Sequence, residues 1–107
     1  MEQKKVLYHK LVRDRIPEMI EKTGKHCTTR ILSDAEYLTF LDEKLNEELA
    51  EYQQSKALEE LADLLEVMHS VVKARGYSWE ELEQLRLQKR ACRGGFEKQI
   101  LLQSVEE

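Results

Sequence analysis

A single proline and four glycines interrupt the 107 residues of this chain. Collagen-like and low-complexity architectures need far more of both and are excluded. The two cysteines, Cys27 and Cys92, belong to no CxxC pair, so neither a disulfide framework nor a zinc site is indicated. A basic surplus is missing too. The 17 Lys and Arg face 21 Asp and Glu, a net charge of −4. A protein that binds nucleic acid polymers or anionic membranes wants the opposite balance. No apolar run approaches the roughly 20 residues of a membrane span. Met1-Glu2-Gln3-Lys4-Lys5 leads into no signal-peptide core. The expectation is a cytoplasmic protein with no nucleic-acid or membrane partner. Hydrophobic residues make up 41% of the chain, enough for one modest core in a single domain spanning 1–107. Chains of this size have little margin, which makes a partner subunit a live expectation.

The few breakers fall where helices should end. Pro17 suits the first turn of a short helix reaching Lys22, with Thr23-Gly24 closing it. Residues 27–32, Cys-Thr-Thr-Arg-Ile-Leu, read as extended or β-prone. Ser33-Asp34-Ala35-Glu36 has the form of a capping box opening a long helix to Tyr52. Gln53-Gln54-Ser55 then makes a polar break, with Ser55 as N-cap of a second long helix ending near Arg75-Gly76. A second capping box, Ser78-Trp79-Glu80-Glu81, starts a third helix that Gly94-Gly95 terminates. The tail from Phe96 carries Ile100, Leu101 and Leu102 and suits a strand, a short helix or a docking arm. The fold class is all-α: two long antiparallel helices with shorter flanking helices.

Helical wheels, turning about 100° per residue, expose an anomaly. In the second long helix Leu58, Leu61, Leu64, Leu65, Val67, Met68, Val71 and Val72 cover more than half the circumference. Glu60 falls inside that apolar arc, between Leu64 and Val67, and Asp63 sits at its edge. The first long helix has an apolar stripe of Leu38, Leu41, Leu45, Leu49 and Tyr52, bordered by Glu48 with Glu51 and Lys44 on the same flank. Each helix therefore presents two carboxylates at i, i+3 toward the side where the pair packs. Four converging carboxylates desolvate and repel one another, and a cation relieves both costs. All-oxygen ligation suits magnesium or manganese. The bland account is a charge-rich helix whose Glu side chains reach solvent past the stripe.

Lys44-Leu45-Asn46-Glu47-Glu48-Leu49-Ala50-Glu51 followed by Glu60-Leu61-Ala62-Asp63 resembles the EExxE…ExxD signature of the MazG-like all-α nucleoside triphosphate pyrophosphohydrolases. Lys10-Leu11-Val12-Arg13-Asp14-Arg15-Ile16-Pro17 and Lys89-Arg90-Ala91-Cys92-Arg93-Gly94-Gly95-Phe96 are similar to the opening and ending of its phosphoribosyl-ATP pyrophosphohydrolase-like subgroup. Together these segments span most of the chain. The spacer between the acidic motifs, residues 52–59, is shorter than is usual in that superfamily.

The resemblance implies magnesium-dependent cleavage between the α and β phosphates of an NTP or dNTP, giving a nucleoside monophosphate and pyrophosphate. It implies a homodimer or homotetramer in which helix pairs complete four-helix bundles. Carried onto this chain, the metal ligands are Glu48, Glu51, Glu60 and Asp63, and Glu47 serves an outer-shell or water-activating role. Lys10, Arg13, Arg15, Lys44, Lys89 and Arg93 are candidate phosphate contacts, since a triphosphate needs its charge neutralised by fixed cations. Arg13-Asp14-Arg15 serves equally well as a brace for the helix at Pro17, Lys44 as an i, i+4 partner of Glu48, and Arg93 as part of a plain helix stop.

Two other functions remain open on the residues. One is phosphoribosyl-ATP pyrophosphohydrolysis in histidine biosynthesis. The other is a non-catalytic helical module whose wide apolar arc serves oligomerisation. His69 belongs at a core edge, Trp79 reads as a packing anchor for the third helix, and Tyr37, Phe40 and Tyr52 have the helical spacing of core aromatics.

Overall fold

Both capping boxes form. In the computed structural model, which describes residues 4–107, the Ser33 hydroxyl accepts from the Glu36 N–H at 3.2 Å and the Glu36 carboxylate accepts from the Ser33 N–H at 3.1 Å. Ser78 and Glu81 repeat the exchange at 3.1 and 3.3 Å. These reciprocal bonds satisfy donors that a helix start leaves open. They launch the second and fourth of four helices: α1 (Ile16–Glu21), α2 (Asp34–Ser55), α3 (Leu58–Ala74) and α4 (Trp79–Arg93). No strand occurs among the described residues, and 27–32 run without regular structure. The segment after α4 is likewise irregular.

One boundary differs from its sequence signal. Helix α2 continues three residues past Tyr52 to Ser55, and the turn to α3 is only Lys56-Ala57. Lys56 adopts a left-handed conformation, φ 59° and ψ 17°, and its N–H donates to the Tyr52 carbonyl at 2.7 Å. Ser55 is therefore no N-cap of α3. Its hydroxyl accepts from the Ala57 N–H at 3.1 Å, inside the turn, and Ala57 holds the cap position. A turn this short forces α2 and α3 into an antiparallel hairpin. At the far end Arg75 donates to Asp42 at 3.0 Å.

Helix α4 leans on the end of α3 through the Trp79 ring, stacked on His69 with centroids 3.6 Å apart and planes 14° from parallel. Trp79 is thus the anchor its position suggests. Helix α1 packs on none of the other helices. No helix among the described residues is long and apolar enough to cross a membrane.

The core is small. Leu41 and Val67, on the facing sides of α2 and α3, are the buried apolar residues. Of the apolar arc on α3, Leu58, Leu61, Leu65 and Met68 stay exposed. The chain is long and open, 70 × 31 × 26 Å with a radius of gyration of 19.2 Å, where a compact domain of this length has about 13 Å.

Candidate metal centre

The α2–α3 hairpin carries its four i, i+3 carboxylates to one place. Glu48 and Glu51 of α2 and Glu60 and Asp63 of α3 each offer an oxygen, and these oxygens all lie within 4.8 Å of one another. An octahedral ion at about 2.1 Å sets opposite ligands about 4.2 Å and adjacent ones about 3.0 Å apart, so the carboxylates would have to draw together to enclose one. The register follows from the turn. Glu51 precedes Lys56 by five residues and Glu60 follows Ala57 by three, and Glu48 and Asp63 lie three residues further out on each side.

Glu48 is the centre of the anomaly. It is only 7% exposed, and its Oε2 has no hydrogen-bond partner. Its other oxygen receives Lys44 Nζ at 3.5 Å. Burial pushes the Glu48 carboxyl above its ordinary range, the neighbouring Glu51 and Asp63 add to the rise, and Lys44 opposes it. The Glu60 carboxyl is raised as well, by desolvation first and then by Glu51 and Asp63. Burying a carboxylate without satisfying it costs stability. A hard divalent cation with oxygen ligands would remove that cost, since the donor set is all-carboxylate and one donor is unspent.

Cations stand on one flank. Lys44, whose side chain is 15% exposed, donates to Glu47 at 3.0 Å while facing Glu48. Lys10 approaches the other Glu47 oxygen at 3.5 Å. Burial alone would raise the Glu47 carboxyl, but Lys44 and Lys10 outweigh it and hold it below its ordinary value. Glu47 therefore stands beside the cluster, tied to two ammonium groups. Arg13 donates to Asp63 at 2.7 Å, which brings the segment before α1 to the carboxylates.

The other candidate cations are placed elsewhere. Arg15 pairs with Glu18 at 3.6 Å and braces α1. Lys89 and Arg93 lie exposed on the outer half of α4, and no contact ties them to the carboxylates. An open cleft of about 470 Å³ lined by His69, Tyr77 and Trp79 holds none of the four carboxylates. Sequence spacing did not reveal the Arg13–Asp63 and Lys10–Glu47 pairings, because a helical wheel carries no information about an irregular segment crossing onto it.

Over 41 residues the chain is 58% identical to an uncharacterized protein of Mycolicibacterium smegmatis (strain ATCC 700084 / mc(2)155), a match covering 38% of this chain and 42% of the relative. No protein-family model matches the chain. No solved structure matches it either.

Proposed function

We propose that Glu48, Glu51, Glu60 and Asp63 hold magnesium or manganese, and that the protein is a nucleotide pyrophosphohydrolase cleaving between the α and β phosphates of an NTP or dNTP. The observation that carries the metal site is the buried, unpartnered Oε2 of Glu48 amid three further carboxylates. The resemblance of the acidic and basic motifs to those of MazG-like enzymes points from that site to the reaction.

A cation held there would neutralise phosphate oxygens and favour attack by water. The chain supplies the rest. Lys44 and Arg13 present positive charge beside the carboxylates and can exchange their present partners for phosphate oxygens. Lys10 and Glu47 hold the segment before α1 against α2 at the rim. Lys89 and Arg93 can reach a phosphate only from a neighbouring copy, in an assembly where the exposed faces of two hairpins complete a four-helix bundle. The location we assign is the cytoplasm, where nucleotide substrates are found.

The test is pyrophosphate release from a panel of NTPs, dNTPs and phosphoribosyl-ATP with magnesium or manganese. Release from at least one nucleotide is expected, lost in Glu60→Gln with helical content unchanged. Failure across the panel with both metals overturns the enzymatic reading and leaves a helical interaction module, for which the exposed apolar face of α3 is the supporting observation.

A further inference from the structure

Two sets of apolar side chains on this chain face water without meeting. The first is a row on α3, Leu58, Leu61, Leu65 and Met68, which are 37% to 82% exposed. Its far end enters a groove of about 400 Å³ that Leu65 and Met68 share with Trp79 and Leu82. The second set lies on the arm after α4. There Phe96, Ile100, Leu101, Leu102 and Val105 are 71% to 96% exposed.

Within one chain the arm is kept off the groove. Arg90 pairs with Glu97 at 2.8 Å, and the Gln99 N–H donates to the Phe96 carbonyl at 3.0 Å. These contacts fix the arm's first residues at the end of α4 opposite Trp79 and Leu82. The groove makes no electrostatic demand on an occupant, because Glu83 and Arg86 on its rim pair with each other. The run Ile100-Leu101-Leu102 carries no charge.

The accessible surface measures what is left uncovered. The chain, of 12.7 kDa, exposes 10288 Å². A compact monomer of that mass exposes about 6,200 Å², so the surplus is about 4,000 Å². Folding the arm onto its own groove would leave the start of the α3 row bare. Standard interfaces bury about 800 Å² per partner and obligate ones about 1,000–2,500 Å² per partner, so the surplus is more than such an interface needs. An occupant drawn from another copy also solves both problems together, since each copy carries one uncovered groove and one uncovered arm.

We infer that the arm of one copy docks in the α3–α4 groove of a second copy, which returns its own arm in exchange. The arrangement is isologous, with two equal contacts about a two-fold axis. It rests on the assembly part of the proposed function and is independent of the carboxylate site.

Sedimentation equilibrium of the full chain tests it with two variants: an arm variant (Ile100→Ser, Leu101→Ser, Leu102→Ser) and a groove variant (Leu65→Glu). The wild type is expected to be dimeric or larger at micromolar concentration. Each variant alone should dissociate about 100-fold more readily, as loss of a central apolar anchor implies. An equimolar mixture should recover heterodimers, because the sound arm of one variant meets the sound groove of the other. Should either variant lose its helical circular dichroism, disulfide trapping replaces it: Leu101→Cys with Leu82→Cys, in a chain with Cys27→Ser and Cys92→Ser, should cross-link between differently tagged copies. Cross-links confined to single chains, or a mixture that recovers nothing, overturn the exchange. Arm variants that assemble as the wild type overturn it while leaving the bundle assembly standing, and a monomeric wild type overturns both.

Discussion

Arg13 donates to Asp63 at 2.7 Å from a position 50 residues away in the chain. A guanidinium therefore already occupies one oxygen of the carboxylate cluster. Arg13 ties the segment before α1 to the hairpin, and on the proposed function a phosphate would compete with Asp63 for this donor.

Replacing Arg13 should separate binding from folding. Both side chains of the pair are more than one-third exposed, so Arg13→Gln should change stability by less than about 1 kcal/mol. On the proposed function it should lower kcat/KM for the nucleotide about 10- to 100-fold, mainly through KM, because a charge-assisted phosphate contact is lost. Magnesium affinity should stay the same or tighten, since Asp63 is released. Calorimetric titration of magnesium beside steady-state kinetics distinguishes the two effects.

Glu48→Gln should stabilise the metal-free protein. The substitution removes a buried negative charge that faces Glu51 and Asp63 and has an unpartnered oxygen. The gain should be about 1 kcal/mol, from removing the desolvated charge and its repulsion with Glu51 and Asp63, read as a higher melting midpoint in chelator. Magnesium at 100 times its dissociation constant should stabilise the wild type by about 2.7 kcal/mol and the variant far less. A variant that melts below the wild type in chelator would contradict the strain assigned to Glu48.

The pH dependence without metal should have two opposing limbs. The Glu48 and Glu60 carboxyls are raised in the folded state. Folding therefore takes up protons above the ordinary carboxylate range, and stability falls as pH rises through that interval toward neutrality. Arg30 and the Ser33 backbone hold Glu36 down at about 2 from 4.5. Its contribution is present above 4.5 and is lost as pH falls toward about 2. Melting midpoints in chelator should peak in the weakly acidic range and decline on both sides. Magnesium should lift the neutral side and leave the acid side unchanged.

The capping boxes give a prediction apart from the site. Ser33→Ala should cost about 1 kcal/mol, and Ser78→Ala a similar amount, each by freeing helix-start donors. Neither side chain belongs to the carboxylate cluster, so metal binding per folded molecule should be unaffected. Chemical denaturation with metal titration at a fixed folded fraction measures both.

Helix starts and the acidic constellation were legible because both are local. Ser33 with Glu36, and Ser78 with Glu81, are three residues apart, and a helical period alone places Glu48 beside Glu51 and Glu60 beside Asp63. The long helices were readable for the same reason, although the end of α2 was not. Tyr52 was the last residue of the stripe, yet the polar Gln53-Gln54-Ser55 continue the helix because Lys56 can take the left-handed turn that ends it. The cations were the least legible part. Arg13 and Arg15 have the same chemistry two positions apart, and only the path of an irregular segment sends one to Asp63 and the other to Glu18. Lys89 and Arg93 lie on α4, whose direction is set by the Trp79–His69 stack rather than by any pattern around the basic residues.

The two-residue turn at Lys56-Ala57 makes chain length itself a determinant of the site. Surface loops usually tolerate insertions, with each doubling of length costing only about 0.6 kcal/mol. Here one added residue that extended either helix would turn its carboxylates by about 100° and shift them by about 1.5 Å relative to the opposite pair. Substitutions that tolerate the left-handed backbone at Lys56 can drift as long as the count is kept, whereas an insertion would uncouple the two halves of the cluster without unfolding either helix. Descendants of this chain are therefore free to vary the spelling of the turn but not its length.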